Sequence, residues 1–570
     1  MNKQFGPTMK ISEQIDREKY RGEGETFEQK VERIARGLCD GQNHYANLYD
    51  SLLNMRFLPA GRVQTSVGSS REVTAFNCFV SSKINDSLDS ILKGFTEAGF
   101  TMKSGGGIGY NFSHIRPNGD WIKSLESKSS GPISFMHIFS ALCHCISSSG
   151  FRRGAQMAIL NCDHPDIEAF IQAKQNETDL TGFNVSIAIT DKFMEHVKSG
   201  EPFPLTFEGK VYKTVDPQAL WDKIMRATWD YAEPGCFFVD RINEMNNLAY
   251  CEYIECCNPC GEQPLPENGC CNLASFNLTQ YLVQVDEKYA FDYEQFTNDV
   301  HTSTRAMDNI MDRTIYPLPQ QKEEALNKRR IGMGITGLAN ASEMMGMPYG
   351  SKEMIEFMET VLETLRDESY MASSLLAKEK GSFPLFDYEK YSQGKFFQTL
   401  PPSVQESIRL NGLRNSHLTS IAPTGTISLV ANNVSSGIEP PFSHYYDRTY
   451  RTFEGDEIQR VEDYAYSKGV EGRTADSISV NEHLDVLIVA QRYIDSAISK
   501  TCNVGPSVLF DEFKDLYMRA WEEGCKGVTT FRLNGKRFGV LNKVEEEESQ
   551  KESPEACYID PVSGIRTCDA

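Results

Sequence analysis

Hydrophobic residues recur at helical spacing over the first fifty or so residues of the chain. Phe27, Val31, Ile34 and Leu38 lie three or four positions apart, with polar clusters between them. This spacing is typical of amphipathic helices that bury one face. We therefore expect a small helical region over residues 1–55.

Strand-like and helix-like runs alternate from residue 56 to residue 542, a pattern typical of an α/β fold. The predicted strands include Ser186–Thr190, Thr419–Ala422 and Ile427–Val430. The predicted helices include Asp86–Met102, with Asp86 as N-cap, and a long helix from Ser351 towards Lys380 that ends at Gly381. These runs predict one large α/β body over residues 56–542.

The last segment of the chain is charged and polar, unlike the body before it. Glu545 to Glu548 are followed by Ser549, Lys551, Ser553 and Pro554, which offer no apolar surface to bury. We expect a flexible tail over residues 543–570, which carries Cys557 and Cys568.

Composition narrows the classes of function. With 58 Lys and Arg against 79 Asp and Glu, the net charge is -21, which disfavours binding to a nucleic-acid polymer but not to a single nucleotide. No run of eighteen apolar residues and no secretory signal is present, so we expect a cytoplasmic protein that does not enter a membrane. The sixteen cysteines are then expected to be reduced core residues, metal ligands or redox groups.

The densest cluster of reactive residues is Cys256-Cys257-Asn258-Pro259-Cys260-Gly261-Glu262, with Cys270-Cys271 shortly after it. Pro259 disfavours a helix, and an extended segment would point Asn258, Cys260 and Glu262 to one side. Spacing alone leaves three interpretations open. Cys257 and Cys260 with Cys270 or Cys271 fit a zinc knuckle, Cys257 and Cys260 fit a redox pair, and all of them fit inert buried thiols.

Three further segments have the composition of ligand-binding turns. Two of them lie early in the body. The first consists of Phe57-Leu58-Pro59-Ala60-Gly61-Arg62 together with Ala75-Phe76-Asn77-Cys78, and the second is the glycine run from Ser104 to Tyr110. The glycine run follows a predicted helix, so a dinucleotide-binding fingerprint is not indicated. Ile421-Ala422-Pro423-Thr424-Gly425-Thr426-Ile427-Ser428 combines a glycine with hydroxyls after an apolar strand, which favours either a phosphate-binding nest or an ordinary turn.

Taken together and in this order, the segments resemble ribonucleotide reductases over most of the chain from about residue 50. The resemblance implies a ten-stranded α/β barrel around an active-site loop. In this loop Cys260 would become a thiyl radical that takes the 3'-hydrogen of the ribose. Glu262 would act as general base on the 3'-hydroxyl, and Asn258 would hold the sugar hydroxyls.

The same resemblance assigns further positions. Cys78 and Cys271 match the pair that reduces the substrate and ends as a disulfide. Residues expected at the substrate are Ala60, Asn77, Gly107, Pro423, Thr424, Gly425, Thr426 and Ile427. Asp86 and Arg116 match the specificity site, where a deoxynucleotide effector binds at a homodimer interface; the alternative is an N-cap and a surface arginine.

Two sequence features indicate which class of reductase the chain resembles. Gly527-Val528-Thr529-Thr530 stands where class I enzymes carry two adjacent relay tyrosines, and no glycyl-radical motif of the Arg-Val-x-Gly-Tyr type is present. The resemblance therefore implies class II, with adenosylcobalamin as radical generator. Cys557 and Cys568 would pass electrons from thioredoxin or glutaredoxin, and the short N-terminal region predicts no ATP-binding cone.

The expected reaction is reduction of ribonucleoside diphosphates to 2'-deoxyribonucleoside diphosphates for DNA synthesis. Two alternatives stay open at this point. One is a class I large subunit that receives its radical from a partner metalloprotein. The other is a zinc-stabilised nucleotide-binding protein without catalytic activity.

Overall fold

The N-terminal region is helical, as the apolar spacing predicts. The structure, a computed structural model, describes residues 5–148, 152–153, 155–175, 179–452 and 455–532, with short strands at 542–543, 557–559 and 566–568. The helices α1 (Lys10–Lys19), α2 (Phe27–Leu38) and α3 (Gln42–Leu53) come first. The apolar stripe of α2 is buried, and Thr26 and Gln29 form a capping box at its start. The boundary at residue 55 stays a prediction.

A ten-stranded mixed sheet forms the centre of the body, which confirms the predicted α/β architecture. Its strands are β1 (Phe57–Pro59), β2 (Cys78–Val80), β3 (Gly107–Asn111), β4 (Gln156–Asn161), β5 (Phe183–Ile189), β6 (Gly235–Phe238), β7 (Cys270–Asn277), β8 (Ile331–Thr336), β9 (Thr501–Val504) and β10 (Gly527–Arg532). The hydrogen-bonded order is β1-β7-β2-β3-β4-β5-β6-β10-β9, and β8 pairs with β7 in parallel. The predicted strand Ser186–Thr190 corresponds to the second half of β5.

The two ends of this sheet are joined through the segment around residues 417–421. Met333 of β8 bridges to Thr419, and Ile421 bridges to Ile498, just before β9. Backbone hydrogen bonds run from Met333 N to Leu418 O at 2.9 Å and from Ser499 N to Ile421 O at 2.8 Å. The predicted strand Thr419–Ala422 is thus a pairing segment that closes the sheet into a barrel.

Helices cover the outside of the barrel. They are α4 (Gly61–Ser66), α5 (Leu88–Lys103), α6 (Gly131–Cys145), α7 (Ile167–Gln172), α8 (Asp191–Ser199), α9 (Pro217–Tyr231), α10 (Val239–Glu244), α11 (Tyr293–Arg313), α12 (Pro319–Lys328), α13 (Leu338–Met344), α14 (Lys352–Lys380), α15 (Tyr388–Tyr391), α16 (Lys395–Gln398), α17 (Pro402–Asn411), α18 (Gly425–Val430), α19 (Val480–Gln491) and α20 (Phe510–Glu522). The predicted long helix is α14, capped by Ser351 and ended at Gly381. Within the described residues, none of the helices has the length and apolarity needed to cross a membrane.

Two buried clusters lie on opposite sides of the barrel wall. Because neighbouring side chains in a strand point to opposite faces, Met157 and Ile159 of β4 belong to the smaller cluster while Ala158 and Leu160 belong to the larger one. The smaller cluster also contains Cys78, Cys256, Cys257 and Cys271. The barrel interior is therefore a compact apolar environment rich in thiols.

Two local predictions were wrong. Ile427–Val430 is part of α18 and not a strand, because Ser428 N bonds Thr424 O at 2.9 Å and the buried face packs on α1. The helix α5 is capped by Ser87 and not by Asp86. The Asp86 carboxylate binds Arg116 instead, with 2.6 Å between Oδ2 and the guanidinium Nε. At Ile427–Val430 and at the start of α5, tertiary contacts therefore outweighed the local conformational preference.

Buried histidines should make the protein sensitive to acid. Burial and the nearby Lys500 lower the pKa of His483 to about 3, whereas an unfolded histidine titrates near 6.5. The unfolded state therefore binds the extra proton as pH falls below about 6.5, and this group's contribution to stability is lost. We expect the free energy of unfolding to fall by about 1.4 kcal/mol per pH unit for this residue.

Urea unfolding midpoints at pH 7.5 and pH 5.5 would measure this loss. His483→Gln should reduce the difference between the two midpoints. The same replacement at the exposed His137 is the matched control and should leave the difference unchanged. An unaltered difference in the His483→Gln variant would contradict the assignment of acid sensitivity to this residue.

Candidate active site

Residues Asn258 to Glu262 form a tight loop and are not extended. The loop follows a short strand, Cys256–Cys257, which pairs with Pro264–Leu265. Gly261 has a φ of 82° and its N donates to Asn258 O at 3.1 Å, while the Asn258 side chain accepts from Gln263 N at 3.0 Å. The left-handed glycine and this side-chain clamp explain why the prediction of an extended segment was wrong.

Glycines of β3 let the loop lie directly against the barrel wall. A Cβ on Gly109 would stand 1.9 Å from Cys257 O, and one on Gly107 would stand 3.1 Å from the Pro259 ring. The loop is also tied to β5, because Asn184 Nδ2 donates to Pro259 O at 2.8 Å. The glycine run therefore serves close packing of backbone on backbone rather than a dinucleotide.

Cys78 and Cys271 are brought together although they are far apart in sequence. They are register partners in the antiparallel pair of β2 and β7. Directly opposed residues in such a pair have Cα atoms about 4.5 to 5.5 Å apart, which lies within the range of about 4.4 to 6.8 Å that a disulfide needs. Both thiols are free and buried, so the arrangement suits reversible formation of a disulfide.

Cys78 also contacts the active-site loop. Asn258 Nδ2 donates to Cys78 Sγ at 3.1 Å, and Cys78 Sγ lies 3.8 Å from Glu262 Oε1. Burial raises the pKa of Cys78 well above its usual range, and the neighbouring Glu262 raises it further. The thiol therefore stays protonated at neutral pH and can supply a proton or a hydrogen atom.

Most of the predicted site residues line one cavity of about 1640 Å³. From the active-site loop and β2 these are Asn258, Cys260, Glu262 and Cys78, and from the predicted substrate positions they are Ala60, Asn77, Gly107, Pro423, Thr424, Gly425, Thr426 and Ile427. Cys271 lies behind Cys78. The cavity exceeds the range of about 300 to 1,000 Å³ of common ligand pockets, so it can hold more than one nucleotide.

The predicted phosphate-binding segment is a turn that leads into α18. Thr424 has a φ of 52°, and its hydroxyl accepts from Gly437 N at 2.8 Å and lies 3.0 Å from Thr336 Oγ1. The Thr424 side chain thus holds the turn in place, and the residues that follow it line the cavity. Its role as a phosphate site stays a prediction.

Asp86 and Arg116 lie outside the cavity. Arg116 N also bonds Asp86 Oδ1, at 3.1 Å, so the pair is an ordered ion pair beside the start of α5. The neighbouring face of α5 carries Leu88, Leu92 and Phe100, which are 61%, 45% and 54% exposed. Such exposed apolar residues on one helix are typical of an association surface.

The two tail cysteines lie on short strands. Cys557–Ile559 pairs antiparallel with Arg566–Cys568, and Cys557 and Cys568 are register partners. Most of the remaining tail lies outside the described residues. The role of this pair stays a prediction.

Several cavity residues carry no local sequence signal. Lys19, Glu439, Lys500 and Lys526 line the cavity but come from distant parts of the chain. Lys500 donates to Glu439 at 2.6 Å, and burial lowers the pKa of Lys526 to about 8. Because each lies outside a recognisable motif, only the closed barrel identifies them.

The zinc-knuckle interpretation finds no support in the part of the chain that the structure describes. There, no three His, Cys, Asp or Glu side chains are arranged to hold a metal ion. Cys257 and Cys271 belong to the interior cluster, whereas Cys260 is exposed to the cavity.

Comparison with known proteins gives consistent matches. The family model described as ribonucleotide reductase, barrel domain, matches residues 76–470 and 471–531. The vitamin B12-dependent ribonucleoside-diphosphate reductase of Thermoplasma acidophilum is 32% identical, over 94% of this chain and 71% of that protein. The protein of the same name from Mycobacterium tuberculosis is 32% identical, over 90% and 76%. Ribonucleoside-diphosphate reductase subunit alpha of Chlamydia pneumoniae is 26% identical, over 73% and 45%.

Proposed function

Because this chain belongs to the ribonucleotide reductase family, we propose that it is the catalytic subunit of an adenosylcobalamin-dependent enzyme that reduces ribonucleoside diphosphates to 2'-deoxyribonucleoside diphosphates for DNA synthesis. The observation that carries the proposal is the meeting of Cys78, Asn258 and Glu262 beside Cys260 in one cavity. The relatives named after vitamin B12 and after a diphosphate substrate support the cofactor and the substrate.

Each group at the loop has a role that its position suits. A thiyl radical on Cys260 takes the hydrogen atom from C3' of the ribose, and Glu262 takes the proton of the 3'-hydroxyl. General bases act within hydrogen-bond reach of the proton they remove, and Glu262 points into the cavity beside Cys78. The Asn258 amide orients the sugar hydroxyls and the Cys78 thiol together.

The reducing pair completes the reaction. Protonated Cys78 gives its proton to the departing 2'-hydroxyl, which leaves as water. Cys78 and Cys271 then supply two electrons and a second proton, so that C2' gains a hydrogen and the two sulfurs become a disulfide. Cys260 returns the hydrogen atom to C3' and is again a thiyl radical. High thiol pKa values suit this role, because the pair must remain protonated until the substrate is bound.

Substrate phosphates bind at the turn from Pro423 to Ile427. Backbone N–H groups at such a turn attract anions, and a hydroxyl adds a donor. Thr426 is a partly buried residue of the cavity wall, whereas the Thr424 hydroxyl is occupied by Thr336 and Gly437. The ribose then reaches from the turn towards the loop, with Asn77 and Gly107 alongside.

The cavity has room for a corrin cofactor beside the substrate. Its remaining wall includes flat apolar and amide side chains, among them Phe442, Asn503 and Phe531, which would hold the group. When bound, adenosylcobalamin supplies the one-electron chemistry that converts the Cys260 thiol to a thiyl radical. The protein contributes orientation and exclusion of water.

Regulation and partners follow from surfaces outside the cavity. We propose that Asp86 and Arg116 belong to a site for a deoxynucleotide effector, and that the apolar face of α5 forms a homodimer contact. The charged pair and the exposed leucines of α5 support this placement. Cys557 and Cys568 would transfer electrons from thioredoxin or glutaredoxin to the buried pair, in a reducing compartment such as the cytoplasm.

A class I mechanism has less support. Thr529 and Thr530 stand on β10, and Thr530 Oγ1 lies 2.9 Å from the Tyr517 hydroxyl. Threonine cannot be oxidised as a relay residue, so a radical from a partner metalloprotein has no relay at these positions. The class I candidate is still tested below, because the Chlamydia pneumoniae relative is named as a reductase subunit alpha and not as a vitamin B12-dependent enzyme.

The test is ribonucleoside diphosphate reduction by the purified chain with dithiothreitol and a deoxynucleotide effector, with and without adenosylcobalamin. We expect deoxynucleotide only when the cofactor is present. Product formed only after addition of a metal-containing partner subunit would favour the class I alternative. Folded protein that binds nucleotide but gives no product under either condition would contradict the proposal.

A further inference from the structure

A buried arginine stands next to the inner thiol of the proposed reducing pair. In the parallel pair of β7 and β8, Asn272 is the register partner of Ile331. The residues one step earlier, Cys271 and Arg330, therefore neighbour each other along the same ladder. Arg330 is 2% exposed and Cys271 is fully buried, so little water screens the guanidinium from the sulfur.

Two groups hold the Arg330 guanidinium in place. Its Nη2 donates to Glu252 Oε1 at 2.5 Å, and its Nε donates to His417 Nδ1 at 3.3 Å. Burial, and then the positive charges of Arg330 and Lys526, lower the pKa of His417 well below its usual value. His417 is therefore neutral and able to accept this hydrogen bond. A guanidinium does not lose its proton in proteins, so the positive charge beside Cys271 is permanent.

The two thiols of the pair have opposite surroundings. Among the described residues, Cys78 lines the cavity and Cys271 does not. Burial raises the pKa of both thiols. Among the charges around Cys78, the Glu262 carboxylate has the largest effect, and it disfavours the thiolate. Around Cys271, the groups Cys270, Asp495 and Glu262 raise the pKa, whereas Arg330 lowers it and has the largest effect of these charges.

We propose that Arg330 is a positioning residue that makes Cys271 the leaving thiolate when an external thiol reduces the Cys78–Cys271 disulfide. This inference rests on the proposed function, which assigns the two cysteines as the reducing pair. The inference specifies which of the two sulfurs is attacked and which one leaves. The thiol attacks the sulfur that faces the cavity, and the sulfur beside the cation departs.

Thiol–disulfide exchange at this pair passes two electrons from the reductant to the two cysteines. An external thiolate bonds to Cys78 Sγ, the Cys78–Cys271 bond breaks, and its electron pair passes to Cys271 Sγ. A second external thiol then attacks the sulfur of the first reductant and releases Cys78. Both cysteines take up a proton, and the reductant leaves as its own disulfide. Lower basicity of the leaving thiol accelerates such an exchange.

The direct test is the rate at which dithiothreitol reduces the oxidised full-length protein, followed by alkylation and peptide mass spectrometry. Arg330→Met removes the charge while Glu252 keeps Lys328, which lies 2.7 Å from it. We expect reduction to slow by about tenfold, with the pH dependence displaced upwards. Arg330→Lys should restore most of the rate, because it restores a charge and a purely steric role would not be rescued this way.

Arg329→Met is the matched control. Arg329 is the adjacent buried arginine, 2.7 Å from Asp308, and Asp308 keeps Arg414 at 3.1 Å when Arg329 is removed. Because Arg329 is not among the charges with the largest effect on Cys271, its loss should leave the reduction rate nearly unchanged. An equal slowing in both variants would mean that only general stability had been lost, and would overturn the inference.

A monothiol identifies the sulfur under attack. With limiting 2-mercaptoethanol, the mixed disulfide should form on Cys78, and Cys271 should be the thiol that is alkylated. A mixed disulfide on Cys271, or wild-type reduction rates in Arg330→Met, would overturn the inference while the proposed function stands. If the wild-type protein gives no deoxynucleotide with the cofactor, or turnover leaves no Cys78–Cys271 disulfide, the proposed function itself fails.

Discussion

Replacing Cys260 with serine should lower turnover by about 10⁴-fold or more. Losses of this size are typical when a group that takes part directly in the chemical step is removed. The serine hydroxyl is not converted to an alkoxyl radical in place of the thiyl radical. The hydrogen atom at C3' is therefore not removed. The loop geometry depends on Asn258 and Gly261 rather than on the Cys260 side chain. Nucleotide binding, measured by equilibrium dialysis, should therefore persist.

Cys145→Ser is the control for this variant. Like Cys260, Cys145 is exposed, but it lies at the end of α6 and is not among the residues that line the cavity. We expect wild-type turnover from it. Substantial turnover by Cys260→Ser would contradict the assignment of the radical to Cys260. Loss of nucleotide binding together with activity would point to a structural role for this thiol.

Replacing Glu262 with glutamine should lower kcat by about 10²- to 10⁴-fold, the usual contribution of a general base. The amide keeps the shape of the carboxylate but cannot take the proton of the 3'-hydroxyl. The main-chain contacts of this residue, from Ser420 Oγ at 2.9 Å and Ala497 N at 3.0 Å, are independent of the side chain. The loop should stay folded, and KM should change much less than kcat.

Glu255→Gln provides the matched comparison. Glu255 precedes the same loop, but its carboxylate pairs with His114 Nε2 at 2.9 Å and is partly exposed. Steady-state kinetics of this variant should resemble those of the wild type. If Glu262→Gln raised KM and left kcat unchanged, Glu262 would be a binding group and the general-base role would be wrong.

Local sequence signals were sufficient where a segment's structure depends on its own side chains. The bounds of α14 follow from the Ser351 cap and the glycine at its end. The apolar stripe of α2 likewise predicted both its helix and its buried face. In these segments the spacing, the cap and the stop agree with one another, so no tertiary contact is needed to decide the outcome.

Local sequence signals predicted the wrong secondary structure where contacts with distant residues determine the backbone conformation. The β-branched residues of Ile427–Val430 favour a strand, but the segment is helical and packs on α1, where Ser12 Oγ bonds Leu429 O at 2.6 Å. The active-site loop is closed by Gly261 and the Asn258 clamp, and glycines of β3 leave space for it. Propensity is a weak preference that such contacts override.

By itself, the sequence determined the kinds of chemistry available and the alternating architecture. It placed Asn258, Cys260 and Glu262 within five positions, because a short loop needs no tertiary information to keep its members close. Only the tertiary structure decided that Cys78 opposes Cys271, and that Arg330 stands behind the pair. These contacts join residues more than fifty positions apart, and strand register in a closed barrel is set by the packing of the whole sheet rather than by any local pattern.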